Sequence, residues 1–121
     1  MNIVLLVLLG GMVGAPARYL IDRAVAARFE SLLPLGTFTV NIVGSAMLGA
    51  LIGAGAASPV LAAAGTGFCG ALTTFSTFGY ETIRLFTDGA YLFAVGNVVI
   101  SVAAGLAAVY AAMSTTQWLW T

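Results

Sequence analysis

Charged positions along the chain fall into two short clusters, and the residues between and around them are predominantly apolar. Arg18, Asp22, Arg23, Arg28 and Glu30 form the first cluster; Glu81, Arg84 and Asp88 form the second. Residues 1–17, 31–80 and 89–121 carry no charged side chain. A helix crossing the hydrocarbon core needs roughly 20 mainly apolar residues. The central stretch is long enough for two such helices and each flank for one, so four spans are expected, at about 2–27, 36–56, 59–86 and 91–114. Pro34 turns the chain after the first span, Ala57-Ser58-Pro59 after the second and Thr87-Asp88-Gly89 after the third. Tyr91, Trp118 and Trp120 suit anchors at the membrane–water interface.

Composition strengthens this picture. The 121 residues are 61% hydrophobic and 7% charged, with a mean hydropathy of +1.08. A soluble domain usually devotes about a quarter of its residues to charge. The bilayer is the solvent in which this composition makes sense, as one four-helix transmembrane domain. Ala15-Pro16-Ala17 resembles a signal-peptide cleavage site, but no positive residue precedes the apolar run, so the first span is kept. Lys and His are absent and the net charge is zero, which leaves no basic patch for nucleic acid. Cys69, the one cysteine, lies deep in an apolar segment and reads as a small buried side chain.

Small residues recur four apart at Gly10/Gly14, Gly49/Gly53 and Ser101/Gly105, a spacing that lets helix backbones approach closely. Both charged clusters follow odd-numbered helices, so they share one membrane face, and the positive-inside rule places that face in the cytoplasm.

Chemistry concentrates in the third span. In Gly70-Ala-Leu-Thr-Thr-Phe-Ser-Thr-Phe78, four hydroxyls fall within five positions, next to a helix-weakening glycine. A break near 70–76 is expected, dividing the segment into half-helices Pro59–Gly70 and Ser76–Phe86. Such a break must be buried in protein or line a polar cavity. Its carbonyl end is partially negative and its N–H end partially positive, as in transporters with discontinuous helices. Cation pathways place carboxylates inside the bundle, and the apolar stretches have none. Thr37, Thr39, Asn41, Ser45, Asn97 and Ser101 add uncharged donors, and Phe75 and Phe78 add positively polarised ring edges. The inventory favours a small anion. Asn41 and Asn97 are open to two roles, glue between helices or pore lining. Glu81 and Arg84, three apart, suit a local ion pair.

These residues resemble the Fluc (CrcB) family of small fluoride channels. The resemblance rests on Gly10-Gly-Met-Val-Gly14-Ala-Pro-Ala-Arg18-Tyr, on Gly36-Thr37 with Asn41-Ile-Val-Gly44, and on Gly67-Phe-Cys-Gly70-Ala-Leu-Thr-Thr-Phe-Ser-Thr-Phe78 with Glu81, then Gly96-Asn97. It covers nearly the whole chain, and its third block is specific. It implies an antiparallel dual-topology dimer with two fluoride pores and a structural sodium ion at the dimer axis, held by backbone carbonyls of Gly70 and Thr73. It also implies that Phe75 and Phe78 are pore phenylalanines, with Ser76 and Thr77 in a polar track beside them. Asn41 becomes a pore amide near Ser101 in an aqueous vestibule, and Arg18 and Glu81 take supporting roles. Ala71 stands where many members have glycine. The implied activity is passive fluoride export across the plasma membrane, lowering cytoplasmic fluoride.

Two other classes compete. A small multidrug-type cation exporter needs an embedded carboxylate, which residues 1–17 lack. A non-transporting assembly protein would account for the glycines but not for the hydroxyls and phenylalanines of one span. No His, Cys pair or acid dyad in the apolar regions suggests an enzyme.

Overall fold

Backbone hydrogen bonding follows the apolar stretches in the computed structural model, which describes residues 2–120; of Trp120 only the backbone is described. Helix α1 (Ile3–Arg28) opens where the Asn2 carboxamide oxygen accepts the Val4 N–H at 2.7 Å, satisfying one of the free donors of a helix start. Pro16 lies inside α1 without ending it. Helix α2 (Leu35–Gly53) begins after Pro34, whose carbonyl accepts the Phe38 N–H at 3.0 Å. It stops at Gly53 rather than the expected Ala56, because Gly55 turns the chain at φ 68, a conformation that costs glycine little.

Helix α3 occupies residues 58–72. It comprises a first turn Ser58–Val60, a wider stretch Leu61–Cys69 and a closing turn Gly70–Leu72. Pro59 sits in the first turn, where a missing N–H does no harm. The wider stretch bonds five residues back, as when the Gly70 N–H donates to the Gly65 carbonyl. Residues 73–75 are not helical, with Thr73 extended at φ -78, ψ 160. Helix α4 (Ser76–Thr87) then resumes. The interruption is shorter than the expected 70–76, because Gly70 stays inside α3.

Helix α5 (Tyr91–Trp120) runs past the expected end at Ser114, with the Thr115 and Thr116 hydroxyls bonded back to the carbonyls of Ala111 and Ala112. At about 1.5 Å per residue it exceeds a hydrocarbon core of about 30 Å. Trp118 lies in this extra length with its ring exposed, and Tyr91 is exposed at the other end, stacked edge-on with Phe86 at 4.9 Å. The expectation for the Trp120 ring lies outside the described residues. Four segments are long and apolar enough to cross a membrane: Ile3–Arg28, Leu35–Gly53, Ser58–Thr87 and Tyr91–Leu119. Among the described residues there is no strand.

Helices meet through backbone rather than through interdigitated side chains. Gly10 and Gly14 press α1 against the carbonyls of Ala63 and Phe68, and Gly49 and Gly53 press α2 against those of Val109 and Met113. A Cβ at any of these four would collide with a carbonyl that cannot move aside. Where lipid removes the hydrophobic drive for association, such close approach lets dispersion hold helices together. The third expected pair behaves differently. Gly105 has only ordinary contact with Ser45 and lines a groove together with Ser101.

Gly14→Val and Gly49→Val should each destabilise the fold by about 1–3 kcal/mol or more, as overpacking does, while Gly105→Ala should be nearly neutral. Thermal unfolding in detergent checks this; equal behaviour of the three variants would refute the packing account.

Candidate functional site

The interruption between α3 and α4 falls near the middle of the third span and is held open by one side chain. Asn41 projects from α2 toward it. The Asn41 Nδ2 donates to the Thr74 carbonyl at 3.0 Å, and the Thr74 N–H donates to Asn41 Oδ1 at 2.8 Å. The amide therefore meets the Thr74 backbone as a second strand would. Thr74 is itself buried, and its hydroxyl accepts the Thr77 N–H at 3.1 Å, capping the first turn of α4.

These bonds decide which carbonyls are left over. In a continuous helix the Thr74 N–H would serve the Gly70 carbonyl and the Thr77 N–H would serve the Thr73 carbonyl. Both donors are diverted, one to Asn41 and the other to the Thr74 hydroxyl. The Cys69 carbonyl, by contrast, accepts both the Thr73 N–H at 3.0 Å and the Thr73 hydroxyl at 2.9 Å. Gly70 and Thr73 thus belong, with Ala71 and Leu72, to the stretch where the broken helix leaves backbone oxygen without its helical partner. Among the described residues no cluster of three His, Cys, Asp or Glu side chains could hold a metal.

The break opens onto a groove of about 580 Å³. Asn41, Gly70, Thr73, Phe75, Phe78 and Ser101 all line it. Phe75 is 84% exposed and Phe78 half-buried, with ring centroids 6.1 Å apart and planes at 44°. No charged side chain among the described residues lines the groove. Ser76 and Thr77 are exposed and lie outside its lining, so the structure does not bring them together with Phe75 and Phe78 there.

Glu81, Arg18 and Asn97 lie elsewhere. Glu81 accepts a 2.5 Å hydrogen bond from the hydroxyl of Thr37, which is 3% exposed at the start of α2. Asp22 packs its carboxylate against Gly36, and both Asp22 and Arg84 act electrostatically on Glu81. The expected Glu81–Arg84 pair is replaced: Arg84 lies 4.0 Å from Asp88, both largely exposed, because Thr37 draws Glu81 toward α2. Arg18 is half-buried in the second half of α1. Asn97 is 4% exposed and donates from Nδ2 to Thr82 Oγ1 at 2.8 Å, an interhelical bond between α5 and α4.

Residues 5–113 match the sequence family described as CrcB-like protein, Camphor Resistance (CrcB). The chain belongs to the CrcB family. This CrcB chain is similar to a protein of Nocardia farcinica named fluoride-specific ion channel FluC 1, at 77% identity over 114 residues, covering 94% of this chain and 80% of that one. A Streptomyces avermitilis protein of the same name is 52% identical over 120 residues, covering 96% and 97%. A Mycobacterium tuberculosis protein named fluoride-specific ion channel FluC 2 is 49% identical over 102 residues, covering 84% and 81%. The CrcB match takes in both the Asn41 position and the Thr73–Phe78 segment.

Two participants went unassigned from sequence. In the sequence Thr74 is one hydroxyl among four, and its acceptance of the Thr77 N–H from the position before the cap residue Phe75 has no distinct local signature. Thr82, the partner of Asn97, carried no local signal.

Asn41→Ala removes both partners of the Thr74 backbone and should destabilise this CrcB protein by about 1–3 kcal/mol, the cost of an unsatisfied buried group. Ser45→Ala, a groove residue with no bond to the break, should change stability little. Comparison of their melting curves tests this, and equal midpoints would rule out the clamp.

Proposed function

We propose that this protein is a fluoride-selective ion channel, giving passive export of fluoride across the plasma membrane and lowering its cytoplasmic level. One observation carries the reading: a mid-span backbone break opens onto a charge-free, largely apolar groove in which an amide, hydroxyls and two phenylalanine rings are the groups that can meet an ion. The names of the relatives supply the ion. Fluoride holds its water strongly, so a pore must offer many donors in place of that shell. A fixed Lys or Arg among them would hold the ion too tightly, because conduction needs weak, repeated sites. The missing carboxylate disfavours a proton-coupled cation exporter.

The family resemblance, together with this geometry, supports a finer arrangement. Phe75 and Phe78 present ring edges to the ion, and Asn41 and Ser101 line the vestibule beside them, with the remaining N–H of Asn41 free for an occupant. Ser76 and Thr77 would join the polar track from the exposed start of α4. A second chain in antiparallel orientation, a copy or an oppositely oriented homologue, would close the open side of the groove. A structural sodium ion fits the carbonyls of Gly70 and Thr73, since hard cations take oxygen ligands and a helix C-terminus is partially negative. It would neutralise the two carbonyl ends and join the breaks of the paired chains. Glu81, bonded to Thr37, and Arg18 support the helix ends at the charged face.

Liposomes loaded with potassium fluoride, treated with a potassium ionophore and read with a fluoride electrode should release fluoride while retaining chloride. No fluoride efflux, or chloride efflux at the same rate, would refute the channel. Phe75→Ile and Phe78→Ile should each slow efflux by about tenfold, equivalent to roughly 1.4 kcal/mol of barrier, with the assembly intact by size-exclusion chromatography. Unchanged efflux would take those rings out of the pathway.

A further inference from the structure

Three cavities, from the mid-span groove to one lined by Glu81, Arg84 and Asp88, are linked in sequence by lining residues that each shares with the next. The mid-span groove shares Ser101 with a small cavity of about 60 Å³, bounded also by Leu33, Pro34, Phe38 and Asn97. That cavity shares Leu33 and Pro34 with a third of about 300 Å³, whose walls include Ser31, Glu81, Arg84 and Asp88. The small cavity has room for roughly two water-sized occupants. Its polar edge is the Ser101 hydroxyl, which donates to Asn97 Oδ1 at 3.4 Å, and the Asn97 amide. One Nδ2 hydrogen of Asn97 goes to Thr82, which leaves the other for an occupant.

We propose that the permeant anion leaves the groove on the charged side through this row of cavities, and that Leu33 and Pro34 form the apolar partition controlling its passage. The inference rests on the channel reading above and adds to it a route and a flux-limiting segment outside the helices. Donors along the route are Ser101 and Asn97 in a small cavity otherwise walled by apolar side chains, then Arg84 and Ser31 in the outer cavity, where they stand beside the Glu81 and Asp88 carboxylates. Only at Leu33 and Pro34 do the walls common to two cavities consist of apolar side chains, and an apolar constriction limits ions by excluding their water.

The partition is held in place by its own backbone. The Leu33 N–H donates to Ser31 Oγ at 3.1 Å, the Leu35 N–H donates to the Leu33 carbonyl at 2.9 Å, and the Pro34 carbonyl accepts from Phe38. With Pro34 restricting its own φ, the Leu33 side chain sits on a short, tied segment at the head of α2. At the outer mouth Glu81 is already engaged by Thr37, and the Arg84–Asp88 pair is 70% and 67% exposed, so it contributes little to holding that mouth closed.

The test uses Leu33→Cys in a Cys69→Ala background, assayed for fluoride efflux from liposomes. Labelling with the membrane-permeant reagent benzyl methanethiosulfonate is followed by mass spectrometry. Complete labelling should slow efflux at least about tenfold, and a reducing agent should restore it. Phe29→Cys in the same background, on the same connection but lining none of the three cavities, should label fully with efflux unchanged. Should the double variants fail to fold, Leu33→Trp and Leu33→Ala in the natural chain replace them, with slower and faster efflux expected respectively. Full labelling without loss of flux, or equal flux in the Trp and Ala variants, would overturn the route. Absence of fluoride flux in the natural chain would instead overturn the channel reading beneath it.

Discussion

The paired hydrogen bonds between Asn41 and the Thr74 backbone are the constraint on which the rest of the site depends. Inside a bilayer no water is at hand to satisfy a backbone that leaves its helix, so an interruption survives only where other groups complete it. Asn41 completes it with one donor and one acceptor, 33 residues away in the chain. By taking the Thr74 N–H it also withdraws the donor that would have covered the Gly70 carbonyl. The Thr74 hydroxyl does the same for the Thr73 carbonyl. One side chain and one cap thereby turn a run of hydroxyls into a groove with oxygen at one end of the break and a fresh helix start at the other.

Close packing makes that clamp possible. Asn41 lies on α2, and its reach to residue 74 requires α2 and α3 to lie near each other without large side chains between them. A Cβ on Gly44, one turn beyond Asn41, would strike the Thr73 methyl group, so glycine sets this distance too. α1 and α5 brace the opposite sides by the same means, with glycine against carbonyl. Little of the chain is fully buried: Val40 and Leu72 are the largest side chains almost wholly withdrawn from the surface. Most large apolar residues point outward, as expected where lipid or a second chain is the neighbour.

Polarity is distributed unevenly along the bundle. The charged end gathers both clusters, with Asp22, Thr37, Glu81 and Arg84 drawn together where α1, α2 and α4 meet. The middle is uncharged and offers donors, and the far end has no charged residue. A small anion in the middle of such a bundle meets dipoles rather than fixed charges, which is the condition for passage without trapping.

The sequence by itself determined the solvent, the number of spans and the chemical character of the third span, because these follow from where charges are absent and where hydroxyls and a glycine interrupt an apolar run. Asn41, Phe75, Phe78 and Ser101 were all visible as residues of interest, and the structure brings them to one groove. Helix limits at Gly53 and beyond Ser114 were not legible, since a glycine turn sets the first and the helix continues through the weak helix formers Thr115 and Thr116 at the second. The exchange of Arg84 for Thr37 as the partner of Glu81 joins residues 44 apart, and no local pattern encodes that choice. Only the tertiary structure decided that Asn41 serves the backbone of Thr74, that Ser76 and Thr77 lie off the groove, and that Leu33 and Pro34 stand between two cavities. Such outcomes depend on which helix faces come within hydrogen-bonding distance, a property of packing between distant segments rather than of any one segment's composition.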